Sequence, residues 1–275
     1  MMNSLWAVYS FLVGACFGSF LNVCISRWPA GLSVVRPRSR CPKCERQITA
    51  LENIPLVSWV ALRGKCKGCG NPISFQYPLV ELIVGLIWLA SYLNFGMSFT
   101  AVRVAMLATV LLGIAITDAL HYLIPDGFTV FGLIWVIVTA IIAVFIGSES
   151  PFASALAAVL GACTGAGAIA IAGWLGEVAL KKEAMGFGDV TLMAVIGGAV
   201  GPIRSLMTIF FAALIATVVF LGVIYPVAYF KARRAGTEFD PPQIPFGVFL
   251  APAAMIALLW GGSMISAYTA SLGLT

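Results

Sequence analysis

Two carboxylates, Asp118 and Asp189, and four thiols, Cys41, Cys44, Cys66 and Cys69, are the residues of this 275-residue chain whose types and spacing can do chemistry. Asp118 closes an uninterrupted apolar run over 106–117, and Asp189 closes the glycine-flanked turn Gly186-Phe187-Gly188-Asp189. An ionisable residue at the edge of a membrane span is costly and marks function by default. The glycines beside Phe187 let the backbone take φ > 0 or approach another segment closely, which would press the carboxylate against a partner. Two carboxylates a few ångströms apart resist double ionisation and share one proton. Such a pair positions a water, removes its proton and returns one to a leaving amide nitrogen. It would equally serve an ion or proton pathway, since intramembrane acids also mark transporters. With one histidine, His121, the chain has no two-histidine zinc protease site, and a Ser-His-Asp triad has a single candidate base. Of the remaining acids, Asp126 follows Pro125 and reads as a helix N-cap, whereas Glu81 and Glu177 lie at span edges, Glu177 as an ordinary interfacial charge.

Cys41-Pro42-Lys43-Cys44 and Cys66-Lys67-Gly68-Cys69 are two C-x-x-C knuckles with 21 residues between them, a spacing that fits tetrahedral Zn²⁺ held by four thiolates. Four protein ligands leave no open position, so the metal is structural. A segment of about fifty residues buries little core, and a metal supplies folding energy that packing cannot. Redox-active thiols are the alternative. Cys16, Cys24 and Cys163 lie in or beside spans and read as small packing residues.

The elements that must position these groups are membrane helices. The chain is 61% hydrophobic and 10% charged, with a mean hydropathy of +1.01, against roughly 25% charged in a soluble domain. Apolar runs occupy 4–24, 77–95, 101–118, 127–146, 153–176, 189–203, 206–230 and 246–269. The expected fold is an all-α polytopic membrane protein of about eight transmembrane helices, with a small cytosolic zinc-knuckle domain between helices 1 and 2. The domains are residues 1–25 as the first span, 26–76 as the zinc-binding segment and 77–275 as the membrane domain. Gly14 and Gly18 form a G-x-x-x-G able to seat a neighbouring helix. The 189–203 run is the shortest, and Pro202 ends it. No internal repeat is evident.

Residues 26–76 carry nine of the sixteen Lys and Arg residues. By the positive-inside rule that segment is cytosolic, together with the loops 177–188 and 231–245, while both termini and the loops 147–151 and 201–205 face outward. The basic patch reads as topogenic and lipid-facing rather than as a nucleic-acid site. Two crossings separate Asp118 from Asp189, so the two carboxylates return to the same, cytosolic, face.

Taken together, Thr117-Asp118 through Ile124-Pro125-Asp126, Gly186-Phe187-Gly188-Asp189 and the four cysteines resemble the type IV prepilin peptidases, a family of bacterial inner-membrane leader peptidases and N-methyltransferases. Gly18-Ser19-Phe20-Leu21-Asn22-Val23, Glu52-Asn53-Ile54-Pro55 and Tyr77-Pro78-Leu79-Val80-Glu81-Leu82 match in the same order, so the resemblance covers nearly the whole chain. It implies an aspartyl pair at Asp118 and Asp189 that removes short basic leaders from type IV prepilins or type II secretion pseudopilins at the cytosolic face. It also implies methylation of the new amino terminus with S-adenosylmethionine. On the same ground the methyl donor is placed near Glu52, Asn53 and the Arg63-Gly64 turn, with Glu52 orienting the substrate amine. Leu120 stands where family members carry a second acid, and Val248 where they carry proline; both are read as lying off the carboxylate pair. Two alternatives stay open: a cleavage-only intramembrane aspartyl peptidase, and an ion-coupled transporter using Asp118 and Asp189.

Overall fold

The computed structural model describes residues 2–147, 150–181, 185–236 and 243–273, and their regular structure is helical apart from two isolated β-bridges. The expected loops at 147–151, 177–188 and 231–245 lie partly outside the described residues. Among the described residues, seven helices are long and apolar enough to cross a membrane, and an eighth apolar helix, Phe187–Val200, is shorter. The chain divides into two compact units, Met1–Gly113 and Ile114–Thr275.

Unit 1 is built on α1 (Met2–Arg27) and α3 (Gln76–Phe95), which pack along their length and are joined by the segment that holds the short helix α2 (Val57–Ala61). Close approach of α1 and α3 requires glycine. A Cβ on Gly14 would stand 2.6 Å from Trp88 Cβ, and one on Gly18 would stand 2.7 Å from the Glu81 backbone. The G-x-x-x-G read from the sequence is therefore the seat of α3, and Phe17 stacks on Trp88 with ring centroids 4.7 Å apart beside it. Asn22 ties the end of α1 to the start of α3 by donating from Nδ2 to the Tyr77 carbonyl at 3.0 Å.

The intervening segment contains a repeat that the sequence reading missed. Cys41 N–H donates to the Arg46 carbonyl and Glu45 N–H to the Cys41 carbonyl; Cys66 N–H donates to Asn71 and Gly70 N–H to Cys66 in the same pattern. The closing bonds correspond too, Ile48 to Ser39 and Ile73 to Gly64. Both knuckles turn through a positive φ, 55° at Glu45 and 69° at Gly70. Only the cysteines and the isoleucines are shared between the copies, so the identity lies in backbone hydrogen bonding rather than in side chains.

Unit 2 comprises the end of α4 (Phe99–His121), then α5 (Asp126–Ile146), α6 (Ala155–Leu180), α7 (Phe187–Val200), α8 (Pro202–Val219), α9 (Tyr225–Ala235) and α10 (Gly247–Ser271). Helix α7 is its centre. Leu192, Met193, Val195, Ile196 and Ala199 are fully buried, as expected of a helix that is hydrophobic all round. At 1.5 Å per residue α7 is about 21 Å long, short of the ~30 Å hydrocarbon core. Small residues let its neighbour close on it. Gly161 and Gly197 face each other so tightly that a Cβ on either would overlap the other's carbonyl, and a Cβ on Gly165 would lie 2.5 Å from the Met193 carbonyl oxygen.

The break after α7 differs from the expected one. Gly201, at φ 87°, makes the turn, and Pro202 opens α8 rather than ending α7, where its missing N–H is harmless. Helices α8 and α9 are continuous through a π-helical turn at Phe220–Ile224. The widened turn accommodates Pro226, which cannot donate to the preceding turn. Lys231, Arg233 and Arg234 thus sit on the last turns of α9 rather than in a loop.

Candidate active site

Asp118 lies one turn from the end of α4. Its carbonyl accepts the Tyr122 N–H at 2.9 Å, and Tyr122 stops the helix by turning to φ 52°. That stop sends the chain inward at Ile124, which is buried, before Pro125 caps α5. Asp126 is the first residue of α5 and makes no side-chain cap bond, which corrects the N-cap reading. It is exposed at the positive end of the helix, where a carboxylate is favourable but replaceable.

Asp189 enters from the other side. Gly186 occupies the N-cap position of α7 with an extended backbone, φ −76°, so Asp189 falls in the first turn, its N–H donating to the Gly186 carbonyl at 3.1 Å. Neither turn glycine uses a positive φ. The requirement at Gly188 is steric: a Cβ there would stand 2.9 Å from Ile124 Cβ. The loop after Asp118 and the turn before Asp189 therefore interlock, and the two carboxylates come near enough for Asp189 to feel the charge of Asp118.

A third element completes the site. The N–H groups of Gly247 and Val248, in the first turn of α10, are directed at the Asp118 carboxylate. A Cβ on Gly247 would lie 2.8 Å from Asp118 Oδ2 and 3.2 Å from Ile124 Cδ1. Sequence reasoning set position 248 apart from the carboxylates, and the structure corrects this. A main-chain donor at the start of a helix leaves no side-chain signature. Leu120, by contrast, is exposed and off the pair. Asp118 is 6% exposed, yet its Oδ2 has no hydrogen-bond partner. Leaving a buried acceptor unmatched costs about 1–3 kcal/mol, and a carboxylate oxygen kept in that state is available to a reactant. Glu177 is exposed on α6 and takes no part.

Unit 1 holds a second site. The four sulfurs of Cys41, Cys44, Cys66 and Cys69 lie within 4.8 Å of one another, with Cys41 to Cys69 at 3.8 Å and Cys44 to Cys66 at 4.0 Å. Tetrahedral Zn–S bonds of about 2.3 Å place sulfurs about 3.8 Å apart, so the donor set fits a dication. Its electrostatics also call for one. The N–H groups of Cys69 and Gly68 lower the Cys66 thiol to about 6. Against the Asn71 N–H, desolvation and the sulfurs of Cys44, Cys41 and Cys66 push Cys69 up to about 11. A bound dication would take the place of the protons that these sulfurs share.

Glu52 is a latch on this knuckle. Its Oε2 accepts from Arg46 Nη2 at 2.8 Å and from the Thr49 N–H at 3.1 Å, and the Arg46 hydrogen bond holds its carboxyl below the usual carboxylate range. With Oε2 engaged and Lys67 Nζ 3.9 Å from Oε1, Glu52 is already neutralised. Glu52 and Asn53 line a cavity of about 420 Å³ together with Trp59 and Glu81. Gly64 does not reach it. Its part is to support Trp59, because a Cβ at this φ 66° position would meet the Trp59 ring at 2.9 Å. The three segments Gly18 to Val23, Glu52 to Pro55 and Tyr77 to Leu82 all contribute to this cavity.

Two aspartate-bearing segments interlocked in a helical membrane unit, with a four-cysteine knuckle in the companion unit, fit a polytopic membrane protein of the aspartyl-protease type. Residues 12–95 match the Bacterial Peptidase A24 N-terminal domain, and residues 105–221 match the Type IV leader peptidase family. The chain belongs to that family. It is 38% identical to a prepilin leader peptidase/N-methyltransferase of Myxococcus xanthus over 86% of this chain and 69% of the relative. It is 37% identical to one of Stutzerimonas stutzeri, covering 94% and 91% of the two chains. A Bacillus subtilis relative of the same name is 33% identical over 94% and 96%. No solved structure matches the chain.

Proposed function

We infer that this protein removes the leader peptide from prepilins or pseudopilins with Asp118 and Asp189, and N-methylates the new amino terminus in unit 1. The observation that carries the first half is the convergence of the two carboxylates across Ile124, with Asp118 Oδ2 unpartnered. Like charges at close range share a proton. The ionised carboxylate takes a proton from water as the oxygen attacks the scissile carbonyl, and the protonated one supplies the leaving nitrogen. The Gly247 and Val248 N–H groups steady Asp118 while its charge changes. Family membership sets ion-coupled transport aside.

The membrane domain, residues 77–275, carries cleavage, and residues 26–76, anchored by the first span, carry the methyltransferase work. A cavity of about 420 Å³ is of a size that holds a small cofactor. Asn53 and Glu52 offer polar contacts and Trp59 an aromatic face for a cation, which suits S-adenosylmethionine as methyl donor. Zn²⁺ on Cys41, Cys44, Cys66 and Cys69 fixes that wall. The basic segment faces the cytosol of a bacterial plasma membrane, where leaders reside, and the protein's surroundings are membrane lipid. In a prepilin-processing assay, Asp118→Asn and Asp189→Asn each abolish leader removal while the protein still inserts. Cleavage by either variant would refute the dyad. Labelled methyl donor with the purified enzyme separates this reading from a cleavage-only peptidase.

A further inference from the structure

We propose that Glu81 captures the free amino terminus of the processed polypeptide and accepts its proton ahead of methyl transfer. The proposal rests on the methyltransferase reading of unit 1 and assigns a substrate-contacting acid to it. Glu81 is 8% exposed on α3, and among the described residues no Lys or Arg lies within 4.0 Å of its carboxylate. A buried, unpaired carboxylate on a membrane helix requires a partner. Its neighbour in the cavity, Glu52, already has Arg46 at 2.8 Å. Of the two acids lining this space, Glu81 alone has no Lys or Arg beside it among the described residues.

The backbone around Glu81 is built to hold it. Oε2 accepts the Leu56 N–H at 2.7 Å, and the Ser19 hydroxyl lies against the same carboxylate. Leu56 sits at φ 62° and ψ −49°, with the Val57 N–H closing on the Pro55 carbonyl at 2.6 Å. This is the rare positive-φ γ-turn, strained for any residue with a Cβ. Strain of this kind persists where the surroundings over-determine it, and it clusters at functional sites. Here it delivers one N–H to one carboxylate oxygen, Oε2, and Glu81 lines the cavity together with Ser19, Asn53, Trp59 and Tyr77.

The chemistry balances with a sulfonium methyl donor. The substrate ammonium gives one proton to the Glu81 carboxylate and becomes a neutral amine. Its lone pair forms the new C–N bond to the methyl carbon as the C–S bond breaks. That bond's electrons return to sulfur as a thioether, and the product is a methylated ammonium. A primary ammonium is the complementary partner for a lone carboxylate in a partly apolar wall, because ion pairing and hydrogen bonding are both satisfied at once.

The test uses the full-length protein in lipid nanodiscs and a fluorescent peptide with a processed pilin amino terminus, either free or acetylated. Wild type binds the free form at least tenfold more tightly than the acetylated form. Glu81→Gln binds the two alike, and Glu81→Asp retains a preference. The ratio is internal to each variant, so the amount of folded protein does not enter it. Leader cleavage by Glu81→Gln stays within twofold of wild type, and its methylation rate falls at least 100-fold. Equal binding of both peptides by wild type overturns the proposal, as does an undiminished preference in Glu81→Gln. Loss of leader cleavage and of thermal stability in Glu81→Gln also overturns it, by making the acid structural. If wild type transfers no methyl group yet its peptide preference depends on Glu81, the methyltransferase reading fails and amine capture by Glu81 stands.

Discussion

The Cα of Gly247 lies against Asp118 so closely that a single added methyl group would stand 2.8 Å from Oδ2. The start of α10 is thereby a wall of the carboxylate site, and its N–H groups supply the local positive potential that a buried acid needs. Gly247→Ala keeps the backbone conformation available but pushes the carboxylate aside. A misplacement of about 1 Å at a reacting group costs on the order of 10²-fold in rate. Leader cleavage by Gly247→Ala in isolated membranes should fall by that order with normal protein levels. Gly262→Ala, on the same helix with open space around it, should cleave as wild type does.

Ile124 is the spacer between the two aspartate-bearing segments, with Cβ against Gly188 and Cδ1 against Gly247. Gly188→Ala drives a Cβ into Ile124 and separates Asp189 from Asp118, so cleavage drops sharply. Ile124→Ala removes the outer carbons that pin this residue and lets the loop yield. The double variant should therefore cleave faster than Gly188→Ala alone. Kinetics of the four proteins give the coupling, expected at about 0.5–3 kcal/mol for residues in contact.

Much of this site was legible in side-chain chemistry. Asp118 and Asp189 announced themselves as charges at the ends of apolar runs, and the cysteine pairs by their spacing. What escaped was backbone work. Gly247 and Val248 act through N–H groups, the knuckle repeat is a hydrogen-bond pattern carried on dissimilar residues, and the γ-turn at Leu56 has no glycine to mark it. The glycines of Gly186-Phe187-Gly188-Asp189 suggested either a positive φ or a close approach, and only the position of Ile124 decided for the second. The 14-residue length of α7 made sense once the burial of its length from Leu192 to Val200 was seen, because a helix encased in protein there need not match the bilayer.

The knuckle sulfurs, 3.8 Å and 4.0 Å apart in their closest pairs, should bind one zinc per chain, measurable by elemental analysis of the purified protein. Cys41→Ser and Cys66→Ser each lower that content toward zero. Residues 26–76 lose their organising centre with it, and protease cuts there appear at concentrations that leave the wild type intact. Methyl transfer should disappear in these variants. Leader cleavage should fall less, because both aspartates lie within Ile114–Thr275.

The tightest backbone contact in unit 2 is that of α6 with α7 at Gly161 and Gly197, each too near the other's carbonyl to admit a Cβ. Membrane helices associate through such close packing because lipid supplies no hydrophobic drive between them. Gly161→Ala forces α6 outward, and overpacking at a well-fitted contact costs about 1–3 kcal/mol. Gly167, on the same helix, has nothing within 4 Å of an added Cβ, so Gly167→Ala should be neutral or stabilising by roughly 0.5–1 kcal/mol through helix propensity. Thermal unfolding in one detergent should rank the proteins Gly167→Ala, wild type, Gly161→Ala in falling order. Because α7 carries Asp189 in its first turn, Gly161→Ala should also lose leader cleavage below its unfolding temperature. Retained activity there would show that the position of Asp189 does not depend on the α6 contact.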